Sequence, residues 1–312
     1  MVLKLACLGW VAFVVLCLFP DRILLGDEFD VYFLGGQSNM EGFGRVSELP
    51  DSESGSVEGV YIFQSTPQPD QEAINGEGVW ATLRPGHGTG FRVENQKNLY
   101  SDRFGVELSL ARELRNRSPG RKIAIIKYAR NGSSLAAAAA GGWGCWEANF
   151  VAKAGDFRAN NQYDYFLATL NNAFLDSDID DDGVVDRLMP AGIVWMQGES
   201  DGAGELETAQ RYQENLKRLM DLIRAAMRKD DLPVVIGRIS DSRQNESGKV
   251  WAHGAVVRSM QEAFVTNDPA AALVTSTDSY AYSDPWHYDS KGYLDLGKQF
   301  AIKLMELKAK SQ

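Results

Sequence analysis

The sequence is poor in cysteine, histidine and net positive charge. It has 3 cysteines and 3 histidines among 312 residues, and 42 aspartates and glutamates outnumber 32 lysines and arginines, so the formal net charge is −10. Such a charge disfavours nucleic acid and anionic membrane surfaces as partners, and a neutral or cationic partner, such as an uncharged glycan, fits better. Because Cys7 and Cys17 lie within the first 20 residues, only Cys145 remains in the rest of the chain. A disulfide framework is therefore excluded.

One apolar run stands apart at the N-terminus. Lys4 precedes the run from Leu5 to Phe19, which is short for a membrane-spanning helix but typical of a secretory signal. We predict that residues 1–26 are a signal peptide or an N-terminal membrane anchor, and that the protein is exported (periplasmic, extracellular or membrane-anchored). Any membrane contact would then be made only through this segment, if it is uncleaved. The alternative is a buried N-terminal helix, which the lack of an amphipathic pattern disfavours.

Short apolar runs alternate with segments of helical periodicity along the rest of the chain. The runs predict buried strands at residues 31–34, 122–129, 191–196, 233–239 and 271–276. The periodic segments predict helices at residues 104–117, 163–175, 205–229, 250–265 and 290–307. This alternation is typical of an α/β fold with a mostly parallel sheet covered on both faces. We predict one domain over residues 28–310, in which the long polar region 41–102 folds over one end of the sheet.

The end of the first predicted strand carries the most informative residues. Gly35 and Gly36 follow the apolar run and allow a sharp turn. Ser38 therefore comes to the carboxyl end of a strand, where open α/β sheets bind their ligands. A serine at this position is either a nucleophile or the cap of the next helix, and this stretch alone favours the cap.

Two further strand ends carry groups that would suit acyl transfer from an ester. Such a reaction needs a nucleophile, a base and hydrogen-bond donors that face the developing oxyanion. Ser38 could attack, and the candidate donors are its own backbone N–H, the backbone N–H of Gly132 and the side-chain amide of Gln197. A glycine suits this role because no side chain blocks the substrate.

The three histidines limit the choice of base. His87 lies in the long polar region, and His253 lies in a helical pattern where a packed or surface role is favoured. His287 follows Asp284 by three residues, so the carboxylate could fix the imidazole tautomer as in a catalytic triad. Alternatively, Asp284 starts a turn and His287 caps the following helix. The polar groups at the other strand ends favour a triad of Ser38, Asp284 and His287.

An acidic segment before the third strand matches part of a calcium-binding loop. Its residues correspond to positions one, three, five, six and nine of an EF-hand loop, and they are Asp178, Asp180, Asp182, Gly183 and Asp186. Position twelve would be Met189 instead of the usual glutamate, so the motif is incomplete. The alternatives are a structural Ca²⁺ site and a solvated acidic turn. No cofactor is required for triad chemistry, so any metal here would be structural.

Three motifs in this chain resemble those of the SGNH-hydrolase superfamily, and most closely its sialate O-acetylesterase-like branch, which includes acetylxylan esterases of carbohydrate esterase family six. The motifs are Gly36-Gln37-Ser38-Asn39-Met40, Gln197-Gly198-Glu199-Ser200-Asp201 and Asp284-x-x-His287-Tyr288-Asp289-x-x-Gly292-Tyr293. The resemblance runs from about Asp30 to Ala301. It implies a three-layer α/β/α, flavodoxin-like fold with about five parallel strands.

The resemblance also implies a function and the residues that perform it. The chain would be a serine carbohydrate O-acetylesterase that removes acetyl groups from an acetylxylan-like glycan through an acetyl-serine intermediate. The alternatives are a sialate 9-O-acetylesterase and a non-catalytic glycan-binding module on the same fold. The implied triad is Ser38, Asp284 and His287, and the implied oxyanion donors are Ser38, Gly132 and Gln197. Residues that would then support the site or contact the substrate are Gln37, Asn39 and Glu199. Apart from the resemblance, Trp143 and Trp286 lie next to the predicted catalytic loops and could face a glycan.

Overall fold

The computed structural model describes residues 26–67, 73–151, 161–246 and 248–310. The predicted N-terminal signal, apart from Gly26, lies outside the described residues. In the described part of the chain, no helix is both long enough and apolar enough to cross a membrane.

The described residues form eleven strands and eight α-helices. The strands are β1 (Glu28–Gly36), β2 (Gly44–Arg45), β3 (Val60–Gln64), β4 (Ala81–Thr82), β5 (Arg92–Glu94), β6 (Lys97–Leu99), β7 (Arg103–Phe104), β8 (Lys122–Ala129), β9 (Arg187–Met196), β10 (Val234–Gly237) and β11 (Ala271–Val274). The helices are α1 (Ser38–Glu41), α2 (Glu107–Arg117), α3 (Gln162–Leu175), α4 (Glu199–Ala203), α5 (Leu206–Gln210), α6 (Tyr212–Ala226), α7 (Gly254–Asn267) and α8 (Ser290–Lys310).

A seven-stranded sheet with the order β11-β10-β9-β1-β8-β3-β4 forms the centre of the fold. Every neighbouring pair is parallel except β3 and β4. The five predicted strands are β1, β8, β9, β10 and β11, and their spatial order is 2-1-3-4-5 when they alone are numbered along the chain. This is the flavodoxin-like order, whose ligands bind where the first and third strands adjoin. The predicted fold class is therefore confirmed, and the carboxyl ends of β1 and β9 mark the expected site.

Helices cover both faces of this sheet because the strands are apolar on both sides. Phe33 of β1 packs its ring on Phe166 of α3, with ring centroids 4.6 Å apart. Successive side chains of a strand point to opposite faces, and the preceding Tyr32 faces α8. At Gly192 of β9, a Cβ atom would lie 2.6 Å from Leu304 of α8 and 3.3 Å from Tyr32. Helices α3 and α8 therefore lie in the two outer layers.

The long region 41–102 contains more structure than its sequence indicated. It holds β3, which pairs in parallel with β8 from Val60 opposite Ile123 onward, so the sheet has six parallel strands and not about five. The strand is only five residues long within a polar context, which is why the pattern did not predict it. The predicted position of the region is correct, because the N–H of Thr89 donates to the carbonyl of Gly42, immediately after α1.

The predicted helices match the observed ones with differences of a few residues at their ends, with one exception. The segment 205–229 forms two helices, α5 and α6, because the backbone leaves helical geometry at Arg211, between them. The buried Cys145 is the one cysteine among the described residues, and its thiol is free. Burial raises the pKa of this thiol to about 12, so it is a packed and unreactive residue.

Candidate active site

The turn between β1 and α1 depends on Gly36. Its φ is +147°, and a Cβ atom there would lie 2.0 Å from the carbonyl oxygen of Met196 at the end of β9. Only glycine tolerates this close approach. The N–H of Gln37 donates to the same oxygen at 2.9 Å. The turn thus fastens the start of α1 to the end of β9 and determines where Ser38 lies.

Ser38 does not cap the helix that follows it. Gln37 occupies the N-cap position of α1, and no side chain caps this helix. Ser38 is the first helical residue, and its side chain is 4% exposed. Within the described ranges, no residue forms a hydrogen bond with its hydroxyl or its backbone N–H. Both groups of Ser38 are therefore free to bind a ligand.

Asp284 holds the imidazole of His287 and the backbone around it. Its Oδ2 lies 2.7 Å from Nδ1 of His287, while its Oδ1 accepts the N–H groups of Trp286 and His287, both at 2.8 Å. Partial burial alone would raise the pKa of Asp284, but the hydrogen bonds from His287 and Trp286 lower it below its usual value. An ionised carboxylate on Nδ1 leaves Nε2 of His287 available as the basic nitrogen.

Asn39, the residue next to Ser38, is hydrogen-bonded to the loop that carries His287. Its Nδ2 donates to the carbonyl of Trp286 at 3.2 Å, and its Oδ1 accepts the N–H of Tyr288 at 3.4 Å. Both neighbours of His287 in the sequence are therefore anchored beside Ser38. No hydrogen bond joins Ser38 to the imidazole in the described structure, and such contacts commonly form only when substrate binds.

Phe43 supports the imidazole from one face. Its ring stacks on that of His287 with centroids 3.6 Å apart and planes 4° apart. Phe43 follows α1 by two residues, so the stacking joins the segment after Ser38 to the distant His287 loop. Sequence reasoning missed it because Phe43 lies in the polar region where no element was predicted.

Gly132 lies in the turn that follows β8, as predicted. Its φ is +72°, and a Cβ atom would lie 2.3 Å from Cδ1 of Trp143, so no other residue fits. Among the described residues, none accepts the N–H of Gly132. In the described structure this N–H and that of Ser38 are both unpaired backbone donors, and they follow adjacent strands, since β8 pairs with β1 up to Gly36.

The structure does not support the predicted role of Gln197 as an oxyanion donor. Its Nε2 lies 2.7 Å from Oδ2 of Asp201, and 3.2 Å from both Oε1 of Gln37 and the carbonyl oxygen of Ser133. The Nε2 amide group has only two hydrogens to donate, and these three acceptors around it leave neither of them free for an oxyanion. Gln197 is also fully buried. It therefore braces the ends of β1, β8 and β9 against one another.

The three residues predicted to support the site or contact substrate are all buried. Gln37 is 3% exposed, and its Oε1 also accepts the N–H groups of Gly198 and Ser200 at 3.3 Å. Asn39 and Glu199 are each 1% exposed, and Nδ2 of Asn39 donates to Oε1 of Glu199 at 2.8 Å. These contacts give all three residues a role in positioning the loops.

Burial places an unusual acid beneath the site. It raises the pKa of Glu199 to about 7, although the hydrogen bond from Asn39 acts in the opposite direction. The other carboxylate oxygen of Glu199 has no partner among the described residues. Burial likewise raises the pKa of Asp201 to about 6, against the hydrogen bonds from Leu135 and Gln197. Both acids destabilise the fold when they are charged.

The raised pKa of Glu199 predicts a specific pH dependence of stability. Between its ordinary value of 4.5 and the folded value of about 7, the native state binds more protons than the unfolded chain, so its stability falls as the pH rises through this window. Glu199→Gln keeps the acceptor for Asn39 and removes the titration. We expect wild type to lose about 1–3 kcal/mol of unfolding free energy relative to this variant between pH 5 and pH 8. Urea unfolding at both pH values measures the difference, and a difference that does not change with pH would contradict the assignment.

The other two histidines are not placed to act as the catalytic base. His87 is fully buried, and its Nδ1 lies 2.9 Å from Oε1 of Gln64. Burial, reinforced by Lys127, lowers its pKa well below the usual value. His253 immediately precedes α7, and its N–H donates to the carbonyl of Gly202. Neither one has a carboxylate on its ring among the described residues, in contrast to His287.

A cleft of about 590 Å³ opens beside the Gly132 turn. Its lining includes Glu41 at the end of α1, Arg130 and Asn131 before Gly132, and Trp143. The guanidinium of Arg130 lies 5.2 Å from the centroid of the Trp143 ring, a distance at which a cation–π contact is favourable. The lining also includes residues of β5 from the long polar region, so this region shapes the cleft as expected.

The acidic segment folds into a loop held together by its own carboxylates. Asp178 accepts the N–H groups of Asp182 and Gly183, at 3.0 and 2.9 Å. Asp186 accepts those of Asp27 and Ile179, at 2.9 and 2.8 Å. These contacts agree with a structural acidic turn and are equally compatible with a cation loop.

Calcium binding in this loop stays a prediction. Carboxylate oxygens of Asp178, Asp180 and Asp186 lie within 4.8 Å of one another, which suits the ligands of Ca²⁺. However, Lys122 donates to Asp180 at 2.6 Å and would have to yield part of that contact. We expect Ca²⁺ to raise the thermal midpoint of wild type and not that of Asp180→Ala. Equal midpoints with calcium and with a chelator would contradict the prediction.

Solved structures of other proteins share this fold. A protein from Arabidopsis thaliana has a TM-score of 0.60 and 16% identity over 89% of this chain and 98% of its own. A carbohydrate acetylesterase from Xanthomonas citri has a TM-score of 0.59 and 19% identity over 89% of this chain, which spans 56% of that protein's length. NanS has a TM-score of 0.57 and 15% identity over 92% of this chain and 100% of its own. At these identities the likeness concerns the fold alone.

The sequence comparisons identify the family. No curated protein sequence matches the chain. The family model described as "carbohydrate esterase, sialic acid-specific acetylesterase" matches residues 28–306. This range spans the sheet and contains all three motifs that indicated the resemblance. The chain therefore belongs to this family of ester-hydrolysing enzymes, which act on acetylated carbohydrates.

Proposed function

We propose that the chain is a serine O-acetylesterase that removes acetyl groups from a glycan through an acetyl-Ser38 intermediate. The observation that carries this proposal is the pair formed by Asp284 and His287, which Asn39 anchors beside the unpaired hydroxyl of Ser38. Nucleophile, base and orienting carboxylate are the parts that a serine hydrolase needs. No cofactor takes part in this chemistry.

The first half of the reaction forms the intermediate. Ser38 Oγ attacks the acetyl carbonyl while Nε2 of His287 takes the hydroxyl proton, and Asp284 stabilises the resulting imidazolium. The unpaired N–H groups of Ser38 and Gly132 donate to the oxyanion of the tetrahedral intermediate. When this intermediate collapses, the bond to the sugar oxygen breaks and His287 returns the proton to that oxygen. The sugar alcohol leaves, and the acetyl group stays on Ser38.

The second half repeats the same steps with water. His287 takes a proton from a water molecule, whose oxygen attacks the acetyl-Ser38 carbonyl. The same two N–H groups stabilise the new oxyanion. Collapse breaks the bond to Ser38 Oγ, which takes the proton from His287, and the released acetic acid ionises to acetate in water. The enzyme is then in its starting state.

Two exposed tryptophans support a glycan as the substrate. Trp143 is 48% exposed and lies against Gly132, and Trp286 is 50% exposed and precedes His287. Large exposed aromatic rings beside a site are suited to pack on the apolar face of a sugar. One ring lies beside a proposed oxyanion donor and the other beside the proposed base, which supports an acetylxylan-like chain as the substrate.

A second candidate substrate is a 9-O-acetylated sialic acid. Arg130 in the cleft has no acidic partner among the described residues, and its guanidinium is suited to bind a carboxylate. This observation favours an acidic sugar over a neutral one.

Acetate release from acetylated xylan and from 9-O-acetylated sialic acid tests the proposal and separates the two substrates. We expect release from the xylan with a higher kcat/KM. An Arg130→Ala variant should leave that value unchanged if the substrate is neutral, and should lower it for the sialic acid. The proposed function would be contradicted if neither substrate released acetate, or if the release persisted in a Ser38→Ala variant.

Export of the protein also stays a prediction. Secretion of the full chain by a cell that expresses it tests that prediction.

A further inference from the structure

The turn around Gly132 is held from two sides. The N–H of Asn131 donates to Oε2 of Glu41 at 2.9 Å, and the hydroxyl of Ser200 donates to the carbonyl of Gly132, also at 2.9 Å. The N–H of Ser133 closes the turn onto the carbonyl of Arg130. The N–H of Gly132 lies between these fixed groups and has no acceptor among the described residues.

Glu41 is itself fixed to the sheet and to α1. It is the last residue of α1, which begins at Ser38. Its backbone carbonyl accepts Nζ of Lys127 at 2.9 Å, and Lys127 forms an ion pair with Glu107 at 2.8 Å. Lys127 is 1% exposed and Glu107 is fully buried, so solvent and salt screen the attraction between them only weakly. Glu41 therefore connects the helix that carries Ser38 to the turn that carries Gly132.

We propose that Glu41 and Ser200 are positioning residues that set the distance between the two oxyanion donors. This inference rests on the proposed function, in which the N–H groups of Ser38 and Gly132 bind the same oxygen. Oxyanion stabilisation requires donors at about 2.7–3.1 Å from the charge, and a glycine with a φ of +72° has no side chain to hold it there. Glu41 supplies that constraint from α1, and Ser200 supplies it from the start of α4.

The role of Glu41 is that of a hydrogen-bond acceptor and not of a charge. Glu41→Gln keeps an oxygen that can accept the N–H of Asn131, while Glu41→Met has a similar length without an acceptor. We expect Glu41→Met to lower kcat for p-nitrophenyl acetate by about 10–100-fold, because it loosens one oxyanion donor without removing it, and complete removal costs about 100–1000-fold. Glu41→Gln should stay within about 3-fold of wild type, because its acceptor is neutral but correctly placed.

The split between kcat and KM distinguishes positioning from substrate contact. Glu41 lines the cleft, so loss of a contact with a sugar alone would leave both kcat and KM unchanged for p-nitrophenyl acetate, which has no sugar. We expect KM for this ester to change by less than about 3-fold in both variants, because the affected interaction exists only in the transition state. Ser200→Ala should behave like Glu41→Met. The double variant should lose less than the product of the two single losses, because both act on one turn.

Two results would overturn the proposal: wild-type kcat in both Glu41→Met and Ser200→Ala, or equal losses in Glu41→Gln and Glu41→Met. Thermal midpoints show which variants are folded, and Ser200→Ala decides the outcome if Glu41→Met does not fold. Labelling of wild-type Ser38 by a fluorophosphonate is measured alongside. If Ser38 is labelled and kcat is unchanged in the variants, the positioning role alone is wrong. If wild-type Ser38 is not labelled, the proposed function is wrong, and the positioning role is wrong with it.

Discussion

Replacing Ser38 with alanine is expected to lower kcat for p-nitrophenyl acetate by about 10⁴-fold or more, the order found when a triad nucleophile is removed. The reason is that Ser38 Oγ is the atom that accepts the acetyl group in the proposed reaction. Rates of p-nitrophenol release by equal amounts of folded enzyme give the comparison. The oxyanion donors survive in this variant, so a small residual rate over water is also expected.

The control for this experiment is Ser54→Ala. The Ser54 hydroxyl donates to the carbonyl of Asp51 at the exposed surface, outside all three motifs. Its loss should leave kcat within about 2-fold of wild type, as surface substitutions usually do. The Ser38 variant should keep the wild-type thermal midpoint within a few degrees. Turnover at the wild-type rate by a folded Ser38→Ala protein would exclude the acetyl-Ser38 intermediate.

Replacing Asp284 with asparagine is expected to lower kcat by about 10³–10⁴-fold. Oδ1 of Asp284 accepts two backbone N–H groups, so the amide oxygen should take that position and the amide nitrogen should face Nδ1 of His287. That nitrogen is a donor. It would favour the tautomer with the proton on Nε2, which cannot accept the proton of Ser38.

Asp289→Asn is the matched control, since Asp289 lies in the same loop and also accepts a backbone N–H, that of Gly292. An asparagine can keep this contact, so we expect kcat within about 3-fold of wild type. Equal losses in both variants would indicate that the loop merely needs its negative charge. An Asp284→Asn variant with wild-type kcat would contradict the role of Asp284.

The sequence was sufficient to predict the sheet and to select Ser38, Asp284 and His287 as a candidate triad, because both inferences depend on local signals. Each parallel strand is a short apolar run that ends in small residues, and parallel strands place their carboxyl ends at one edge. With only three histidines in the chain, the spacing between Asp284 and His287 was enough to select a base. The contact between their side chains, at 2.7 Å, agrees with that selection.

The role of Gln197 could not be predicted because it depends on which partners surround a buried amide. From the sequence, Gln197 is a polar residue at a strand end, where either a substrate or a neighbouring loop can use its N–H groups. The three-dimensional contact with Asp201 decides between them. Asp201 is only four residues away, and α4 brings its carboxylate back onto the amide.

The support beneath the site also has no sequence signal. Lys127 lies in the middle of an apolar run that predicts a buried strand, and a buried strand rarely contains a charged residue. Its partner Glu107 is 20 positions away, at the start of α2. The pairing becomes visible only when β8 and α2 are packed together. The same reasoning applies to Phe43, whose stacking on His287 joins two distant parts of the chain.

The central claim is that Ser38 becomes acetylated during turnover. Acid quenching of wild-type enzyme mixed with an acetyl ester, followed by peptide mass analysis, measures this directly. Replacement of His287 by alanine should prevent the modification, because the hydroxyl proton then has no acceptor. The account predicts an acetyl group on the peptide that contains Ser38, in wild type alone. An acetyl group on another residue, or steady turnover without any modified peptide and without loss of activity in Ser38→Ala, would contradict it.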